Sequence, residues 1–256
     1  MRRSALVLSL LVACGPSATP TPPARSPDDA PPAATANASA SATVAVAPPA
    51  STGPAPASTD APAQPPAADL PPPQKQSTGA IPKDAAYLGP ATAPVTIQVF
   101  SDFQCPYCRD MDQLLVELRA KYGDRVRVVW RDFPLDMHRY SRLAAMAARE
   151  AYAQKGNDGF WAMREKLFAG QEKDEGLGPA AVNRYAKEIG LDTRRFSAAI
   201  AGKTHLKRIE KELAVAFALD LKGTPTLFVN DYVAFGEGAS KEALVRLVDL
   251  ALTEKR

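Results

Sequence analysis

Hydrophobic and polar positions divide the chain into two unlike parts. From Gly15 to about Pro82 large apolar residues are rare and follow no period. From about Lys83 onward they recur at strand and helix spacing. Val95 to Phe100 is rich in β-branched residues and predicts a buried strand. Met111, Leu114, Leu115 and Leu118 predict a helix over Cys105 to Lys121. Val126, Val128, Val129 and Trp130 predict a second strand over Arg125 to Phe133, which completes a βαβ unit. A long helical stretch follows: Ser141 to Gln154, Asp158 to Phe168, Gly178 to Ile189, Thr193 to Ala201 and His205 to Leu221. Strand pattern resumes at Thr226 to Val229 and Tyr232 to Phe235, with Asn230-Asp231 suited to a tight hairpin turn. Ser240 caps a final helix that turns Leu244, Leu247, Val248 and Ala251 inward. The order is α/β: β-α-β, a helical insertion over about 138–221, then β-β-α. No internal repeat is visible.

Composition sharpens the division. Eighteen of the 24 prolines lie between Gly15 and Pro82, among Ala, Ser and Thr. Such a segment buries too little apolar surface to offset its ordering entropy and is expected to stay disordered. As a tether of some 65 residues it reaches roughly 45 Å. The expected domain, 83–256, carries 27 Lys and Arg against 24 Asp and Glu. The sequence pI of about 8.7 is therefore no nucleic-acid signature.

The amino end reads as an export signal. Met1-Arg2-Arg3-Ser4 is basic, and Ala5 to Ala13 is apolar but well short of the about 20 residues that span a bilayer. Leu11-Val12-Ala13-Cys14 resembles the bacterial lipobox, which implies removal of 1–13 and lipidation of Cys14. The chain would then be held at a bacterial envelope membrane by a lipid anchor, with 14–82 as its linker. That reading also accounts for an odd cysteine count, since Cys14 leaves one pair, Cys105 and Cys108.

That pair carries the candidate chemistry. Cys105-Pro106-Tyr107-Cys108 stands where a loop enters a helix. Free amides and the positive end of the helix dipole favour a thiolate at Cys105. Pro106 suits the first helical position, where a missing N–H costs nothing. Cys108 lies one turn on and can attack a mixed disulfide held on Cys105. Tyr107 between them is expected to tune exposure and redox poise. Other readings are a metal site, an inert structural disulfide, or a binding module whose thiols are inessential. Zinc needs about four ligands, and only His138 and His205 remain as soft partners, far apart. A small loop at a helix start restrains the unfolded chain little. Neither a metal nor another cofactor is expected.

The segment Phe100-Ser101-Asp102-Phe103-Gln104-Cys105-Pro106-Tyr107-Cys108 resembles the active-site segment of DsbA-like thiol–disulfide oxidoreductases. Gly223-Thr224-Pro225-Thr226-Leu227-Phe228-Val229-Asn230 resembles that family's cis-proline loop. Asp132-Phe133-Pro134-Leu135 with His138, and Phe160-Trp161-Ala162-Met163, are similar to it as well. The resemblance covers about Tyr87 to Ala251 and implies a thioredoxin fold with an inserted helical subdomain. It implies that Pro225 is cis and lies against the two cysteines, exposing the backbone of Thr224 to a client strand, with the Thr224 hydroxyl near the sulfur. It implies exported cysteine-containing proteins as clients and a membrane redox partner. The oxidant direction is expected, with a reductase or isomerase and a non-catalytic tethered domain as alternatives. One departure stands out. Many relatives carry a buried acid six residues before the first cysteine, where this chain has Val99. The proton acceptor for Cys108 is thus open. Asp102 reads as a turn former, His138 as orienting the junction to the insertion, and Trp130 and Trp161 as core.

Overall fold

The described residues of the computed structural model, 72–254, begin with two short strands, β1 (Gln74–Lys75) and β2 (Tyr87–Leu88). A βαβ unit follows: β3 (Val95–Ser101), α1 (Pro106–Tyr122) and β4 (Val126–Asp132). Four helices come next: α2 (Ser141–Gly170), α3 (Pro179–Glu188), α4 (Thr193–Ala201) and α5 (Leu206–Ala218). The chain closes with β5 (Thr226–Val229), β6 (Tyr232–Ala234) and α6 (Lys241–Thr253). The six strands form one sheet in the order β1-β6-β5-β3-β4-β2. Only β3 and β4 run parallel. This is the thioredoxin-like α/β fold with its helical insertion.

All seven residues of β3 are buried, because helices cover both faces of the strand. Val95, Ile97 and Val99 face one core with Leu115 and Leu118 of α1 and Leu244 and Leu247 of α6. Phe100 faces the other, with Phe228 of β5 and Ile209 and Leu213 of α5. The period-2 alternation of a strand thus assigns each helix its side.

Two expected helices, ending at Gln154 and starting at Asp158, join end to end in α2, broken at Gly156 (φ 61°, ψ −146°). A side chain rarely adopts that conformation, and glycine supplies it. Asn230, at φ 53°, makes the β5–β6 turn and accepts a hydrogen bond from Thr96 N at 2.9 Å. The last strand ends at Ala234 rather than Phe235, leaving Phe235 exposed.

The strands β1 and β2 have no counterpart in the hydrophobic pattern. Two residues are too few to show a period, and β1 lies inside the Pro-rich stretch assigned to the linker. Backbone pairing holds it: Gln74 opposes Val233 and Lys75 opposes Tyr232. Two amides add to this, Gln76 Nε2 to Leu219 O (2.8 Å) and Gln98 Nε2 to Thr78 Oγ1 (2.5 Å). The expected signal, Cys14 and the linker before Pro72 lie outside the described residues.

Candidate active site

The carboxyl end of β3 delivers the chain to the amino end of α1. Cys105 is the N-cap residue with extended backbone, and Pro106 takes the first helical position. Cys105 and Cys108 are free thiols, both buried. Cys105 O accepts from Cys108 N at 3.1 Å and from Arg109 N at 3.4 Å, which closes the first turn.

Opposite the helix start, the Thr224–Pro225 peptide bond is cis. The Cys105 thiol donates to Thr224 O at 3.4 Å, so the loop before β5 touches the first sulfur through its backbone carbonyl. The Thr224 hydroxyl is buried and has no hydrogen-bond partner among the described residues. With no other partner, it is placed to donate to a Cys105 thiolate. Asp102 N donates to Cys108 Sγ at 3.4 Å.

These surroundings drive the two thiols apart. Cys105 is lowered to about 6, first by the Cys108 thiol, which donates to its thiolate, then by the Thr224 side chain and the N–H groups of Cys108 and Tyr107. Burial opposes that shift. Cys108 is pushed well above its ordinary value, first by burial and then by the neighbouring Cys105 sulfur. The Ser101 side chain and the Asp102 backbone pull it partly back. The arrangement therefore favours a thiolate at Cys105 and keeps Cys108 protonated.

Of the residues that support the two thiols, Gln171 has no signal in the sequence pattern. Asp102 Oδ1 accepts from Gln104 N at 2.8 Å, the local turn expected of it. Its other oxygen accepts from Leu135 N at 2.9 Å and pairs with His138 Nδ1 at 2.7 Å. His138 thus joins the insertion to the active-site loop. Burial raises the Asp102 carboxyl above the usual range, against the pull of those partners. From the far end of α2, Gln171 Nε2 donates to Phe103 O (2.9 Å) and Cys105 O (2.8 Å). Trp130 stacks on Phe103 with centroids 4.4 Å apart, and Trp161 donates to Tyr87 O at 2.9 Å, both within the core. His205 pairs with Glu150 instead, at 2.6 Å. Among the described residues no group of three His, Cys, Asp or Glu side chains is placed to hold a metal.

A groove of about 910 Å³ opens along α1 and the Thr224–Pro225 bond. Met111, Leu114 and Pro225 line it, with exposed Tyr107 and Phe235 at its margins. Its wall includes Thr224, so an extended segment lying in it would meet the cis-proline loop.

Residues 82–250 match the family described as Thioredoxin. Among solved structures, BdbD from Bacillus subtilis superposes with a TM-score of 0.61 at 26% identity, covering 67% of this chain and 95% of that one. A thioredoxin-like oxidoreductase from Silicibacter pomeroyi superposes with a TM-score of 0.56 at 28% identity, covering 68% and 95%. Among curated relatives, the Na(+)/H(+) antiporter NhaA 3 of Salinispora tropica is 42% identical over 143 residues, 56% of this chain. The match spans only 21% of that relative's length. No helix of the described residues is long and apolar enough to cross a membrane.

Proposed function

The chain belongs to the thioredoxin family, in its DsbA-like form, and from that premise we propose that it exchanges a Cys105–Cys108 disulfide with exported cysteine-containing proteins, acting as their oxidant. The observation that carries this reading is the opposed acidity of the two thiols at one helix start: Cys105 near 6, Cys108 held far above it. An acidic first thiol stabilises the reduced form, and a stabilised reduced form is what makes a disulfide oxidising.

In the oxidising direction a client thiolate attacks Cys105 Sγ, and the electron pair of the S–S bond leaves on Cys108, which takes up a proton. A second client thiolate attacks the client sulfur of the mixed disulfide. The client disulfide forms and Cys105 departs as the thiolate that its amides and the Thr224 hydroxyl favour. Thr224 O and the groove seat the client segment in extended form. Two electrons pass from client to protein in each cycle, and a membrane redox partner removes them.

The basic start, the short apolar run and Cys14 support an envelope location with a lipid anchor and the linker as tether. Antiporter activity is not carried over, since the matched segment is about a fifth of those relatives. A like segment within proteins named as Na(+)/H(+) antiporters supports a module that works beside a membrane.

The test is a titration of the purified full chain against glutathione redox buffers, following Cys105 and Cys108 by thiol trapping. A potential above about −180 mV supports the oxidant; one near −250 mV makes the protein a reductant fed by a donor. Thiols that do not exchange reversibly overturn the enzyme reading and leave the binding-module alternative.

A further inference from the structure

Cys108 must release a proton each time the Cys105–Cys108 disulfide forms and regain one each time it opens. Its near neighbours, the Asp102 N–H and the Ser101 hydroxyl, are donors that stabilise a thiolate but have no vacant basic site for its proton. Val99 is buried and apolar, so it takes none either.

A cavity of about 210 Å³ lies against Val99. Beside Val99 and Trp130 of the sheet, its walls include Asp112 and Arg119 of α1 and Arg164 of α2. Asp112 is four residues beyond Cys108, so the two share one face of α1 with Cβ atoms about 5–6 Å apart. The Asp112 side chain is 16% exposed and pairs with Arg164, itself 8% exposed. Arg119 Nε is buried and has no hydrogen-bond partner among the described residues. Most of the wall is apolar, but Asp112, Arg119 and Arg164 together give water the two to four polar partners it needs, and the volume holds several molecules at about 30 Å³ each.

We infer that Asp112 is the proton acceptor of Cys108, reached through water in this cavity, and that it replaces an acid at Val99 by facing the same space from α1. This rests on the proposed exchange reaction. Burial raises the Asp112 carboxyl above the usual range, against Arg164, and Glu165 adds to the rise. That brings it toward the working pH of a general base. Arg164 and Glu165 of α2 and Arg119 of α1 are the charged groups around it. From β2, β3 and β4 the cavity receives only Leu88, Val99, Val128 and Trp130, none of which titrates.

The step balances. With a mixed disulfide on Cys105, the Cys108 S–H passes its proton through water to Asp112. The Cys108 thiolate attacks Cys105 Sγ, the Cys105–Cys108 bond forms, and the client sulfur leaves as a thiolate with the electron pair of the broken bond. When a client thiolate opens the disulfide, Asp112 returns the proton to Cys108.

The test uses the reduced full chain and glutathione disulfide, with acid quenching and mass spectrometry to separate two steps. The first adds glutathione to Cys105; the second expels it as Cys108 closes the disulfide. Asp112→Asn should slow the second step about tenfold or more and remove its carboxylate-dependent pH limb. Asp112→Glu should keep most of the rate. Val99→Glu placed in the Asp112→Asn chain should restore it, because the new acid faces the same cavity. A second step at the wild-type rate in Asp112→Asn overturns the inference. So does a slow step that neither acid restores, accompanied by a lowered melting temperature, which would make the Asp112–Arg164 pair purely structural. Should glutathione never add to Cys105 in the wild type, the exchange function fails first and takes the inference with it.

Discussion

Cys105 and Cys108 carry the same side chain, three residues apart, and their surroundings move them in opposite directions. The first receives hydrogen bonds to its thiolate; the second is desolvated beside that charge. Thiolate absorbance of the reduced chain should titrate with a midpoint of about 6 for Cys105. Cys108→Ala should raise that midpoint, because the Cys108 thiol is the largest single cause of the lowering. An unchanged midpoint would move the cause to the helix amides. The same shift links to stability. Cys105 is depressed in the folded, reduced protein, so its contribution is fully present above an ordinary thiol value of about 8.5 and is lost as pH falls through about 6. At pH 7 it is about 1 kcal/mol. The urea midpoint of the reduced chain should therefore rise between pH 6 and 8.5 relative to Cys105→Ser. Parallel curves for the two would contradict the thiolate assignment.

At the scale of elements, the helical insertion holds the active-site loop from two sides. The Leu135–His138 turn binds Asp102, and Gln171 at the end of α2 binds two carbonyls of the loop. Gln171→Leu leaves Phe103 O and Cys105 O each short of a donor. The expected cost is about 1–2 kcal/mol, with faster amide exchange at the start of α1 than in β3. Exchange that quickens uniformly, or not at all, would show that the clamp does not act locally. These contacts also show what a sequence can carry. A buried strand such as β3 and an amphipathic helix such as α1 repeat their apolar residues within themselves, so each is legible alone. Cys105 and Cys108 are legible because cysteine is rare here and chemically unusual, whereas Pro225, one of 24 prolines, is legible only through the resemblance of its loop. Asp102 and His138 stand 36 residues apart, and Gln171 lies 66 from Cys105; no local period records either pairing. Thr224 is expected both to expose its backbone and to bring its hydroxyl near the sulfur; its carbonyl accepts from the Cys105 thiol, and its side chain helps to lower that thiol.

For the molecule as a whole, the domain reaches further toward the amino end than composition suggests. The shift in proline content points to Lys83, yet β1 pairs with β6 some eight residues earlier. Gln76 N also donates to Asp231 O at 2.7 Å. Behind this edge lies a buried polar layer in which Arg131 pairs with Glu212 at 2.5 Å and donates to Gln98 Oε1 at 2.5 Å. Gln98 in turn spends its amide on Thr78. The segment 72–82 thus completes the hydrogen bonding of a side chain in the middle of the sheet. The exposed Lys75–Glu254 pair adds little by comparison. A chain beginning at Lys83 would leave the Gln98 amide without Thr78 and Leu219 O without Gln76, and would bare β6 as a sheet edge. It should be less stable than a chain beginning at Pro72 by about 2 kcal/mol and more prone to self-association. Urea midpoints of the two chains, with their sedimentation behaviour, measure this. Equal midpoints would mean that β1 merely rests on the sheet. A lower midpoint for the shorter chain makes residues 72–82 part of the folded domain.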